Sequence, residues 1–290
     1  MKNNMNLYLI GNGFDMHHDI KSSYIDYSKW LKNYNHRIYD CFIDLFEETK
    51  TSDLWRDFEC SLGQINIEEY SYRSLKYQPS ISLKGLLNRI ENTFLLWLLE
   101  LNKPNADKKL SYINSESKYI TFNYTKTLEN LYSIPTSNIL HIHGSLDTKD
   151  IIIGHEKNSQ TLIDSFPLCN KIYCNGIKIS QYDYEEAWNE NFKAINSFYK
   201  DTDKILRLNQ NFLNTINNAK KIYVLGTSIS EPDHGYFRYF IKQYPESLWF
   251  VSYFTDKEQI YMSETLISMG LKSERLNFFK MIDGPHNKSK

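Results

Sequence analysis

The chain has 290 residues, 41% of them hydrophobic and 24% charged, with a formal net charge of -1 at pH 7. That length buries a substantial core, and that balance excludes both a disordered chain and a membrane protein. Lys and Arg are scattered rather than gathered into a stripe, so nucleic acid is not an expected partner.

The first apolar run, Leu7 to Ile10, reads as a strand that breaks at Gly11-Asn12-Gly13 and runs into Phe14, Asp15 and the pair His17-His18. Ser22-Ser23 can cap a following helix, whose apolar positions Tyr27, Trp30, Leu31, Tyr34, Ile38, Phe42, Leu45 and Phe46 recur at helical spacing. Next, "LWRDFECSLG" opens another helix and "YSYRSLKYQPS" reads as loop. The stretch from Leu86 to Asn102 is apolar nearly all round, which predicts a buried helix ended by Pro104. Strands follow at "KYITFN" to Asn123, "NILHIHG" to Gly144 and "IIIGH" to His155, and Pro167 to Ile179 looks irregular. Helices at 184–199 and 204–219 precede a second strand-glycine-helix unit, its strand ending at Gly226 and its helix beginning near Asp233. The strands "LWFVSYF" and "LNFFKM" flank a helix over 256–269, and the tail after Gly284 is polar and loose.

Alternating strands and helices argue for an α/β fold with a Rossmann-like, mostly parallel sheet, read as one domain over 1–290 with helical insertions at about 50–110 and 180–218. In such sheets ligands bind beyond the carboxyl ends of the strands, at the topological switch point. No stretch reaches the roughly 18 apolar residues that span a bilayer, and the early glycine turn leaves no room for a signal peptide, so no membrane contact and a cytoplasmic location are expected. The four cysteines are too irregular for a disulfide framework; Cys169 and Cys174 form a C-x4-C pair without the second pair a zinc site needs, and no metal is expected. Aromatic residues reach 15%, with 22 tyrosines, and read as packing rather than base stacking.

Several strand ends carry polar groups. The Gly11-x-Gly13 turn lacks the third glycine of the dinucleotide fingerprint, since Met16 stands there, and two readings remain open: a phosphate cradle or a tight strand exit. Asp15 beside a phosphate would repel it, so it suits a ribose hydroxyl or the orientation of another polar group; its structural alternative is a helix cap. Asn123 either satisfies the turn backbone or holds a water or ribose hydroxyl, and Thr125 can cap a helix starting near Lys126. His141 and His143 share one face by the strand period of two, and His143, followed by Gly144 at the strand's end, is the better placed for chemistry; packing competes for both. Asp57 and Glu59 read as solvated helix charges, and Asp233, ahead of His234, as a cap. His155 and the His17-His18 pair have no assigned role.

The order G-N-G-F-D, T-F-N-Y-T, H-I-H-G and G-T-S-I-S-E-P-D resembles the sirtuin-like NAD-binding superfamily. More closely, "LIGNGFDMHHDIKSSYIDY", "DLWRDFE", "TFNYT", "HIHGSL" and "YVLGTSISEPDHGYF" resemble the bacteriophage abortive-infection family AbiH, from about Leu7 to Phe240. The resemblance implies that Gly11, Asn12 and Gly13 approach the pyrophosphate or ribose of NAD, with Phe14 and Asp15 beside them. It places Thr121 and Asn123 on the T-x-N motif, whose asparagine orients water or the nicotinamide ribose. His143 falls on the histidine base, and Gly226, Thr227 and Ser228 on the segment along the adenosine ribose. Glu59 becomes a candidate for the pocket wall. The four-cysteine zinc module and acyl-lysine groove of sirtuins are not found, so protein deacylation is not expected. What is implied is an antiphage NAD glycohydrolase using Asn123, His143 and Asp15, with NAD as substrate. Its restraint falls to a homo-oligomer, a regulatory partner protein or a phage-derived trigger. Two alternatives are a non-catalytic sensor of NAD or an ADP-ribose derivative, and a metal-dependent phosphoesterase or nuclease using Asp15, His141, His143, Asp233 and His234.

Overall fold

The computed structural model describes residues 5–46, 51–77, 81–148, 150–156, 172–174 and 177–285. These divide into two compact units. One, built from 1–23, 98–152 and 202–290, holds a six-stranded sheet; the other, built from 24–97 and 153–201, is mainly helical.

The sheet strands are β1 (Asn6–Ile10), β2 (Lys118–Thr121), β3 (Ile139–His141), β6 (Lys221–Leu225), β7 (Leu248–Tyr253) and β8 (Leu276–Lys280), in the order β3-β2-β1-β6-β7-β8. Every pairing in it is parallel, which makes the fold Rossmann-like, as the alternation of elements predicts. The chain runs outward from β1 to β3 and then returns to the other side of β1, so the switch point lies between β1 and β6. Both faces of β1 are covered, which is why it reads as an unbroken apolar run. Leu7 and Leu9 join Ile222, Val224, Trp249 and Val251 beneath α12 (His234–Gln243) and α13 (Asp256–Ser268). Tyr8 and Ile10 face the other way, with Phe14 of α1 (Asn12–His17) and Leu128 and Tyr132 of α8 (Thr127–Tyr132). On that face Tyr119, Tyr8, Tyr223 and Phe250 stand at paired positions of β2, β1, β6 and β7, their ring centroids 4.7–5.2 Å apart. This stack gives four of the aromatics a packing role.

In the helical unit the single helix expected after Ser23 is two, α2 (Tyr24–Tyr34) and α3 (His36–Ile43). Asn35 leaves helical geometry, and its side chain accepts the Ile38 N–H as the cap of α3, a role for which Asn is well suited. Helices α4 (Thr51–Arg56) and α5 (Phe58–Leu62) occupy the stretch read as helix. "YSYRSLKY", expected as loop, belongs instead to α6 (Ile67–Tyr77). Its buried Ser71 hydroxyl takes the Asn191 amide of α9 (Gln181–Asn196) at 3.0 Å, so helix packing overrides the weak helical preference of Tyr and Ser. Helix α7 (Leu83–Leu99) is amphipathic rather than buried all round, with Lys84, Glu91 and Leu96 exposed.

Residues 151–155 are not a strand: Gly154 lies so close to the Phe198 carbonyl that a Cβ would stand 1.9 Å from it, and pairing shrinks to one bridge, His155 to Tyr199. Part of the stretch read as irregular is an antiparallel pair, β4 (Ile172–Cys174) with β5 (Ile177–Ile179). The helix expected over 204–219 is two short ones, α10 (Thr202–Leu208) and α11 (Gln210–Leu213). Cys169 and residues 286–290 of the tail lie outside the described residues. Among the described residues, no helix is long and apolar enough to cross a membrane.

Candidate functional site

The exits of β1 and β6 are joined backbone to backbone. The Gly11 and Gly13 N–H groups donate to the Leu225 and Gly226 carbonyls at 2.9 and 2.6 Å. A Cβ on Gly11 would stand 2.6 Å from Thr227 Cα, and one on Gly13 2.8 Å from Gly226 Cα. Gly226 has φ +64, and a Cβ there would reach 2.1 Å from the Phe14 nitrogen. Close approach of two strand exits therefore accounts for these glycines. Asn12 closes the same turn: its amide donates to the Ser22 carbonyl and its Oδ1 accepts the Ser22 hydroxyl. Phe14 is fully buried against His18 and Tyr132.

Asp15 is buried and does not cap a helix end. Its carboxylate accepts the hydroxyls of Thr125 at 2.5 Å and Thr127 at 2.7 Å. Burial pushes its carboxyl up to about 6, against the opposing pull of Thr125, Thr127, the Asn123 amide and the nearby His141. Thr125, expected as a cap, is spent on Asp15, and α8 begins at Thr127 without a side-chain cap. Asn123 spans the exits of β1 and β2: its amide donates to the Gly11 carbonyl at 3.0 Å, and its own N–H donates to Thr121 Oγ1.

The two histidines part company because β3 ends at His141, so the period of two does not carry on to His143. His141 turns toward α8, its ring nitrogens facing the Asn123 carbonyl at 3.1 Å and Glu129 Oε1 at 2.9 Å. His143 is 3% exposed and packs between Phe122 and Tyr236, on the face of the sheet that carries α12. Its Nε2 lies 3.6 Å from Asp233 Oδ1. Asp233, expected as a cap, stands at the N-cap position of α12 without making the side-chain capping bond. Thr227 is buried and accepts the Ile229 N–H, Ser228 is exposed, and His234 Nε2 contacts the Ile229 carbonyl at 3.0 Å.

The structure thus brings Asp15, Asn123 and Thr121 together at the carboxyl ends of β1 and β2, and sets Gly11, Gly13, Gly226 and Thr227 at the switch point. His143 belongs to a separate group with Asp233. Thr127 and Glu129 escaped the sequence reading; the T-x-T-x-E spacing after Asn123 on a helix start is the signal that could have found them. Of the residues the metal reading would use, His143 and Asp233 face each other, whereas Asp15 is held by Thr125 and Thr127, His141 faces Glu129 and His234 contacts the Ile229 carbonyl. Among the described residues, no group of three His, Cys, Asp or Glu side chains could hold a metal ion. A cleft of about 370 Å³, lined in part by Asn214, Lys220, Gln243 and Glu246, lies at the opposite, amino ends of β6 and β7, away from these groups.

In the helical unit, Glu59 is not a solvated charge. Its two oxygens accept the Tyr24 hydroxyl at 3.0 Å and the Lys200 ammonium at 2.8 Å, and the Lys200 side chain is fully buried. Asp57 is exposed, as expected. His155 is buried, its Nε2 donating to the Ile195 carbonyl. His18 is likewise buried between the Phe14 carbonyl and the Tyr132 hydroxyl, and burial lowers its pKa.

Among known proteins, a family model described as "Bacteriophage abortive infection AbiH" matches residues 7–77 and 66–253. No curated protein and no solved structure matches the chain.

Proposed function

Because the chain belongs to the AbiH family of bacteriophage abortive infection proteins, we propose that it acts in phage defence as an NAD glycohydrolase, releasing nicotinamide and ADP-ribose. The observation that carries this reading is the Asp15 carboxyl, buried beside Asn123 at the exits of β1 and β2 and titrating at about 6. Acids with values moved toward neutrality by burial cluster at functional sites, and the carboxyl end of a Rossmann-like sheet is where nucleotides bind.

In NAD the nicotinamide nitrogen is already cationic. Breaking its bond to ribose C1′ sends the electron pair to that nitrogen, so nicotinamide leaves neutral and needs no proton. What remains for the protein is to stabilise an oxocarbenium-like ribose and deliver water. Above its pKa, ionised Asp15 faces the positive charge or accepts a ribose hydroxyl. The Asn123 amide oxygen accepts a hydrogen of the attacking water, the water oxygen bonds to C1′, and the released proton passes to His143 directly or through a ribose hydroxyl that bridges the two groups. The sirtuin-like motif order supports these roles, and a cell that must live with such an activity needs the restraint of a second copy, a partner protein or a phage-derived trigger.

The test is nicotinamide release from NAD by wild type, His143→Ala and Asn123→Ala. Losses of about a hundredfold or more are expected in both variants at unchanged melting temperature. Wild-type rates in either variant overturn the assigned roles. No release from wild type, even with infected-cell extract added, overturns the enzymatic reading in favour of a nucleotide sensor, which a binding assay would then detect.

A further inference from the structure

We infer that Asp233 is the positioning carboxylate of His143, holding the imidazole at Nε2 so that Nδ1 receives the proton. The chemistry of this inference rests on the glycohydrolase reading; the pairing rests on geometry alone.

Three observations converge on the pair. First, the two side chains are 3% and 13% exposed and Nε2 lies 3.6 Å from Oδ1, so the carboxylate acts on the ring with little water between them to screen it. Contacts of this kind are commonly long before substrate binds and tighten afterwards. Second, Asp233 closes the short 3-10 turn Glu231–Asp233 that leads straight into α12, so its backbone is already helical and its carboxylate, instead of capping, faces the His143 ring. Third, the chain reaches Asp233 by a costly path. Ile229, four residues before Asp233, has φ +52, and it is a fully buried β-branched residue for which that conformation is an outlier. The Ile229 carbonyl is pinned in place by His234 at 3.0 Å and the Tyr261 hydroxyl at 3.5 Å. A strained, fully buried residue four positions before Asp233 is what a functional placement looks like.

The ring has little freedom to turn away, since Phe122 and Tyr236 pack against it with centroids 5.4 and 5.5 Å off. Of the groups facing it, Asp233 from the turn before α12 and Tyr236 from α12 can titrate; Phe122, following β2, cannot. A carboxylate at Nε2 fixes the tautomer and stabilises the imidazolium formed when Nδ1 takes a proton from water.

The test uses the full chain labelled with 15N-histidine, the His143 signals being assigned with His143→Gln. Ring nitrogen shifts are followed against pH in wild type, Asp233→Asn and Asp233→Ser; Ser is itself a good cap, so it removes the charge without weakening the helix start. In wild type the neutral ring is expected to carry its proton on Nε2. Both variants should mix the tautomers and lower the His143 titration midpoint by about one pH unit. Nicotinamide release should fall about tenfold or more in kcat with little change in KM, and Asp233→Glu should recover part of it. Unchanged His143 shifts in both variants would overturn the pairing. If wild type releases no nicotinamide, the nitrogen shifts still decide the pairing, so the two failures are distinct.

Discussion

Asp15 shows how a single side chain acquires its properties from partners far along the chain. Its folded pKa of about 6 stands above the ordinary 3.8, so the native state holds an extra proton between those values. Stability contributed by the protonated form is present below about pH 4, declines as pH rises through about 6, and stays lost above it. Asp15→Asn keeps hydrogen bonding to Thr125 and Thr127 without the buried charge. It is expected to be more stable than wild type by about 2 to 3 kcal/mol at pH 7.5, with the gain vanishing near pH 4, as read from urea denaturation across that range. A variant less stable than wild type at pH 7.5 would contradict this account of Asp15. The sequence identified Asp15 as a residue of interest, but the threonines that hold it lie beyond position 120, and the hydroxyls reach it only once β2 lies beside β1.

At the strand exits, contact between elements decides what each glycine does. A strand followed by Gly-Asn-Gly left a phosphate cradle and a tight exit both open, and both depend on what comes near. In the fold, what comes near is the Gly226 turn, and the Gly11 and Gly13 N–H groups donate to the Leu225 and Gly226 carbonyls. Gly226→Ala puts a methyl into the Phe14 backbone at a positive φ, whereas Gly270→Ala at φ +101 meets nothing within 4 Å. Urea midpoints should therefore show a cost of roughly 1 to 2 kcal/mol for Gly270→Ala, from backbone strain alone, and at least twice that for Gly226→Ala. Equal costs would mean that the exits of β1 and β6 are not in contact. Helix boundaries follow the same logic. Asn35 interrupts an apolar pattern that continues at helical spacing, so the pattern was legible and the break was not. For α6 the deciding term is Ser71 meeting Asn191, a contact between segments distant in sequence.

The sheet gathers three separate stretches of chain, and its centre depends on the last of them. Asn6 pairs with Lys221, and Ile222 and Val224 complete the core over Leu7 and Leu9. A fragment ending at residue 219 lacks β6 to β8 and leaves β1 with one uncovered edge and an incomplete face. It is expected to show no slowly exchanging amides in β1 or β2; protection there at the level of the full chain would mean that the sheet forms without its second half. The sequence by itself determined the α/β class, the parallel sheet and the residues at its carboxyl ends, because apolar runs, their periodicity and glycine punctuation are local signals. The stretches "LIGNGFDMHHDIKSSYIDY", "DLWRDFE", "TFNYT", "HIHGSL" and "YVLGTSISEPDHGYF" are enough to point to the AbiH family. Only the tertiary structure decided that His141 and His143 face different elements, that Asp233 meets His143 instead of capping a helix, and that Glu59 pairs with the buried Lys200. Each of these turns on where a strand stops or which distant side chain arrives, and pairwise electrostatics and burial act through space, not along the chain.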